Sequence, residues 1–358
     1  MQGRTTRTLI ALAGTAAAAA VLAMPGPASA NAERTAQNYE VGLFGDMPYG
    51  DYGRAHHPAV IADMNAHNLA FSIFDGDTKN GSEPCYADVD GSAAAAGKPD
   101  VYTYALDLFG RFSRPVVYLP GDNEWTDCDR TKITPNFDAD GRLAYLRKLS
   151  YPTDQSLGRR TMTLTRQSAA YPENVRWTAG PVTYIGLNIP GSDNNWAPDS
   201  GKEGDPAKAH AEYTARNAAN LAWLDSSFAA AKKAGSKGVM ISIQADMWDP
   251  TADSLAHYAD TKTALARLAI DFGKPIALVN GDSHSFEMDK PLTDAATTNA
   301  AGLAGANVIE TFTRVTTFGE AQNHWVSATV DARDPNVFTF HPHLIRANLP
   351  TYTAPPAS

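Results

Sequence analysis

The stretch Val41-Gly42-Leu43-Phe44-Gly45-Asp46 decides how the rest of this chain is read. Apolar residues run into a glycine and stop at a carboxylate. That is the form of a buried strand ending in a tight turn that aims an acid into a crevice. Three later stretches repeat it: Phe74-Asp75-Gly76-Asp77, Leu119-Pro120-Gly121-Asp122-Asn123-Glu124 and Val279-Asn280-Gly281-Asp282-Ser283-His284. Carboxylates gathered in this way repel one another unless a cation lies between them. Asp46, Asp77, Asn123 and His284 together therefore read as a metal site, for two ions bridged by one carboxylate.

Outward from these segments, short β-branched runs at 41–44, 70–74, 116–119, 182–187, 239–243 and 276–279 predict buried strands. Helical patterns fall between them at 58–67, 102–112, 142–149, 206–234 and 254–272, with Gly235 and Gly273 as stops. Strand alternating with helix predicts a mostly parallel sheet whose carboxyl edge carries the ligands. Past Asn307 the rhythm changes to runs at 311–317, 324–330 and 337–340, which predict an antiparallel second sheet. Residues 91–97, with four alanines, read as a surface loop, and 350–358 as a disordered Pro/Ala/Thr tail. No internal repeat or long linker divides 31–349, so one domain is expected.

Arg4 and Arg7, an apolar stretch over 9–24 and Ala28-Ser29-Ala30 have the form of a secretory signal peptide, residues 1–30. Its removal leaves 28 basic against 39 acidic residues, since Arg4 and Arg7 are the basic residues lost. Such a balance argues against nucleic acid as a partner, because neutralising phosphates takes lysine and arginine. No later run is long enough to span a membrane, so a secreted monomer without a transmembrane segment in its mature form is expected. In an oxidising compartment Cys85 and Cys128 would pair and tie together the loops that carry Asp77 and Asn123.

Gly45-Asp46, Gly76-Asp77, Asp122-Asn123-Glu124, Ile243-Gln244 and Gly281-Asp282-Ser283-His284, in that order, resemble the calcineurin-like metallophosphoesterase superfamily, which includes the purple acid phosphatases. The resemblance covers about 40–345. It implies a four-layer α/β/β/α sandwich with mixed central sheets and two divalent ions. Asp46 and His284 would bind the first ion, Asp77 would bridge both, and Asn123, Gln244 and Asp282 would serve the second. The implied reaction is hydrolysis of a phosphate mono- or diester, from a small-molecule or lipid substrate, by a metal-activated water.

The chain departs from the family at several places. Gln244 and Asp282 stand where histidines are usual, Glu124 where a histidine follows the asparagine, Asn80 where the purple enzymes have tyrosine, and Pro48 where other members have histidine. Each change removes a nitrogen or aromatic donor, and most leave oxygen. Mn²⁺ or Mg²⁺ is therefore favoured, with Fe, Ca²⁺ or Zn²⁺ as alternatives. Two readings follow: a working site for hard ions, or a degenerate scaffold that binds a metal or ligand without turnover. Glu124 is the candidate general acid, with Asn123 and Asp77 beside it. Asn188, Asn194 and Lys79 are candidates for phosphate contact, or simply turn and surface residues. His341 and His343 alternate along a strand and so share a face; this fits a metal role or an ordinary strand surface. His56 and His57 fit either an approach to the site or a helix start.

Overall fold

The computed structural model describes residues 1, 3, 38–196, 204–252, 254–294 and 307–350. Apart from residues 1 and 3, the segment 1–30 read as a signal peptide lies outside the described residues, as does the expected tail beyond Pro350. In chain order the strands are β1 (Asn38–Phe44), β2 (Leu69–Phe74), β3 (Val116–Tyr118), β4 (Thr165–Arg166), β5 (Val175–Ala179), β6 (Val182–Gly186), β7 (Gly238–Ser242), β8 (Ile276–Asn280), β9 (Glu287–Asp289), β10 (Phe312–Thr316), β11 (Trp325–Asp331) and β12 (Phe338–His343). They form a five-stranded sheet, β12-β11-β1-β2-β3, and a seven-stranded sheet, β4-β5-β6-β7-β8-β10-β9. Both are mixed: the β1-β2-β3 and β6-β7-β8-β10 pairings are parallel and the others antiparallel.

Alternation along each strand explains why two sheets stack. Val41 and Leu43 of β1, with Phe71 and Ile73 of β2, face Tyr184, Met240 and Val279 of the other sheet in one buried cluster. Phe44 and Phe74 point the other way. They pack under helices α1 (Gly50–Ala66), α3 (Val101–Phe109) and α4 (Ala139–Ser150). On the far side, Ile185, Ile241 and Leu278 pack under α5 (Pro206–Ala234) and α6 (Ala259–Phe272). The result is the expected α/β/β/α sandwich. Helix α5 keeps the predicted bounds because its ends are well specified. The Asp205 side chain accepts the Ala207 N–H, proline opens the helix, and Gly235 closes it in a left-handed conformation.

The C-terminal runs do not make a sheet of their own. Strand β10 joins β8 in parallel and is buried on both faces, Phe312 toward the helices and Val315 between the sheets. Strand β11 covers the free edge of β1, in the register Asn38 to Asp331, and β12 adds itself outside it. Residues 91–97 also differ from expectation. Left-handed Gly91 and Gly97 bracket a short helix, α2 (Ser92–Ala96). Among the described residues no helix is long and apolar enough to cross a membrane.

Candidate functional site

The acidic segments open at the carboxyl ends of β1, β2, β3 and β8. There the edges of the two sheets meet around a cavity of about 300 Å³ lined by Tyr49, Asp77, Asp122, Asn123, Arg130, Asp282, His284 and the turn 80–82. Asp46 lies buried just behind it. The backbone that delivers the acids is bent into the left-handed region at Asp46 (φ 49°), Asp77 (φ 66°), Asp282 (φ 72°) and His284 (φ 61°). Residues with a Cβ rarely adopt it, at about 1–2 kcal/mol each. The glycines let carboxylates rest directly on main chain. A Cβ on Gly121 would lie 1.9 Å from Asp77 Oδ1, and one on Gly281 would lie 2.0 Å from Asp46 Oδ2.

The Tyr49 hydroxyl donates to Asp77 Oδ2 at 2.9 Å and lies 3.3 Å from Asp46 Oδ1. His284 Nε2 is 3.4 Å from Asp46 Oδ1, and the Asp282 N–H donates to Asp46 Oδ2 at 3.0 Å. Crowding of like charge is severe. Burial and then the charges of Asp122, Glu124, Asp46 and Asp282 hold the Asp77 carboxyl well above the usual range. Asp282 is raised in the same way, by desolvation and by Asp122 and Asp46. Desolvation alone would pull the His284 imidazole down, but the Asp46 contact, with Glu320 and Asp282, outweighs it and lifts the imidazole to about 9.

The donor chemistry fits one divalent cation against Asp46, Asp77 and His284, two carboxylates and an imidazole. Tyr49 holds the two carboxylates apart as they stand, and its hydroxyl would ligate or step aside. The second position is different. Gln244 Oε1 accepts the Gly191 N–H at 2.5 Å, which turns its amide nitrogen toward Asp77 (3.2 Å), Asp122 (3.3 Å) and Asp282 (3.1 Å). Reversing the amide would set its NH₂ against the Gly191 N–H and its oxygen against the carboxylates. Asn123 likewise turns its nitrogen inward, donating to Asp77 Oδ2 at 2.6 Å and to Tyr49 at 2.9 Å. Two of the three residues expected to serve a second ion, Asn123 and Gln244, are thus hydrogen-bond donors that cross-link the acids, Asp282 among them, and this arrangement does not fit that ion.

Several expected roles move elsewhere. Both Glu124 oxygens accept main-chain N–H groups, from Thr78 and Gly121, so Glu124 buttresses the loops and does not line the cavity. Lys79 is buried, with its ammonium donating to the carbonyls of Asn80 and Glu83. Asn188 and Asn194 are buried as well. The Asn188 carbonyl accepts from Arg216 and Asn220, and the Asn194 side chain is held between His257 and Arg216. None of these three reaches the cavity. His57 packs in the core between Phe44 and Phe112.

Sequence reading missed Tyr49 and Arg130. Arg130 brings a guanidinium to the cavity wall, 2.5 Å from Asp127 and donating to Ser192 Oγ at 3.1 Å. The signal for it was its place two residues after Cys128. The Cys85–Cys128 disulfide forms, with its Cα atoms 5.6 Å apart, and carries that loop to the turn after Asp77. Tyr49 was signalled only by standing three residues after Asp46.

No protein family and no curated protein matches the sequence. Among solved structures, GAP50, the anchor in the inner membrane complex of Plasmodium, is 11% identical with a TM-score of 0.46, over 89% of this chain and 98% of that one. A second solved chain is 9% identical with a TM-score of 0.39, over 86% of this chain and 99% of that one. Neither likeness is strong enough to carry fold or function.

Proposed function

We propose that this chain is an exported phosphoesterase of the calcineurin-like kind, acting on a phosphate mono- or diester with one divalent cation. The observation that carries the reading is the cavity itself. Segments from both sheets bring Asp77, His284 and Arg130 to its wall, with Asp46 in contact with His284. Carboxylates face where a cation belongs, and a guanidinium faces where the anionic oxygens of a phosphate belong. When bound, a divalent cation supplies Lewis acidity toward a phosphoryl oxygen and makes water a stronger acid. Arg130 orients the phosphate by paired N–H donors. Tyr49 holds a proton between Asp46 and Asp77, and Asn123 and Gln244 fix the carboxylates by donation.

A second reading, binding without turnover, is favoured by one specific feature: the inward amide nitrogens of Asn123 and Gln244. The test is hydrolysis of p-nitrophenyl phosphate and its bis ester by chelator-treated protein resupplied with Mn²⁺, Mg²⁺ or Zn²⁺. Turnover that depends on the added ion and disappears in Asp77→Asn is expected. Arg130→Ala should raise KM at least about tenfold, the scale of a lost charged hydrogen bond. No turnover with any ion, together with phosphate binding lost in Arg130→Ala, would favour the binding protein. No turnover and no phosphate binding would sink both readings.

A further inference from the structure

Helix α1 begins beside the acidic cavity, immediately after Tyr49, and ends on the outer face of the five-stranded sheet. There it meets β12. Asp63 and His67, one helical turn apart, come together with His343, and one ligand atom of each lies within 4.8 Å of the others. The three side chains are partly exposed. Each has a second polar atom already held. Asp63 Oδ2 accepts the Trp325 indole N–H at 2.8 Å. His67 Nδ1 lies 2.8 Å from the Asp63 main-chain oxygen, which makes it the N–H donor and leaves Nε2 with the lone pair. His343 Nε2 lies 2.9 Å from Ser327 Oγ; in the tautomer in which Nε2–H donates to that hydroxyl, Nδ1 keeps its lone pair for a metal. The rings are also held. His343 stacks on Trp325 at 3.9 Å and 5°, and His67 meets both edge-on, at 4.9 Å from Trp325 and 4.8 Å from His343.

We propose that Asp63, His67 and His343 form a transition-metal site, separate from the acidic cavity, that fastens the end of α1 to strand β12. A ligating histidine is usually oriented by a hydrogen bond from its other nitrogen, and here both imidazoles have one, as does the carboxylate. Two imidazoles and one carboxylate select Zn²⁺, Ni²⁺, Cu²⁺ or Co²⁺ over Mg²⁺, and partial exposure leaves a position for water. His341, the other histidine of the strand, is exposed and outside the group. The site does not depend on the phosphoesterase reading, because it shares no residue with the cavity.

The probe is Co²⁺, added to chelator-treated full chain and followed by its visible d–d absorption, with Zn²⁺ as competitor. In Asp77→Asn, which removes the ion of the acidic cavity, one equivalent bound with a low-coordinate spectrum and displaced by Zn²⁺ is expected. His67→Gln and His343→Gln should each weaken it at least about tenfold. In parallel, Zn²⁺ should raise the melting temperature of Asp77→Asn but not of the Asp77→Asn, His343→Gln double variant. In the Asp77→Asn background, Co²⁺ binding that survives both histidine substitutions in folded protein, or no Co²⁺ spectrum before they are made, would each overturn the proposal.

Discussion

His57 shows how a single buried side chain sets a pH dependence. It packs at 2% exposure between Phe44 and Phe112, and its Nδ1 has no hydrogen-bond partner among the described residues. Burial, and then the Arg111 charge, pull its imidazole down to about 3 from 6.5. The unfolded chain therefore takes up a proton near pH 6.5 that the folded protein refuses. The stability this group contributes is complete above that pH and is lost as pH falls from 6.5 toward 3. His57→Leu, apolar and close in volume, should flatten the fall in melting temperature between pH 7 and pH 4. An acid response identical to wild type would show that other groups dominate. Gly281 makes the opposite kind of test, because its role is local. Gly281→Ala would push the Asp46 carboxylate from the Asp282 N–H it accepts. Mn²⁺ affinity should fall at least about tenfold while the fold survives, checked by calorimetric titration beside circular dichroism. An unaltered titration would mean that the Asp46 carboxylate moves without consequence.

At the scale of elements, the disulfide joins the two loops that leave the paired strands β2 and β3. Cys85 and Cys128 are 43 residues apart, and the bond fastens the turn after β2 to the turn after β3. Closing a loop of this length contributes on the order of 4 kcal/mol by the chain-entropy account. Replacing both cysteines with serine should lower the melting temperature by several degrees and weaken phosphate binding, since Arg130 follows Cys128. Thermal melts with and without reductant, and phosphate titration of the double variant, measure the two effects separately. The strands that deliver the site were legible because β1, β2, β3, β7 and β8 are buried apolar runs ending in Gly-Asp, Gln or Asn. Strand β5, Val-Arg-Trp-Thr-Ala, was not, because only Val175 and Trp177 of it are buried. The direction of an amide was not legible either. The inward nitrogen of Gln244 depends on the Gly191 N–H, which sequence spacing does not reveal.

Across the whole molecule, the layers follow from strands that are apolar on both faces. The partners of the last strands do not follow from the sequence. Residues 311–317 and 324–330 read alike, yet β10 and β11 enter different sheets. Each fills an edge that earlier strands leave open, β10 beside β8 and β11 beside β1. Pairing of this kind is decided by which edge is vacant, a property of the assembled fold. It also fixes when the protein can form. As the chain is made from its N-terminus, β1 emerges early with one edge bare, and its neighbour arrives only when Asp331 and the residues before it have been synthesised. The first sheet is therefore unfinished while every residue between the two strands is being made, and a chain lacking β11 would expose the edge of β1 to other chains. A polypeptide that must wait for a distant segment before its first sheet closes stays open to partners longer than one whose sheets are built from neighbouring strands.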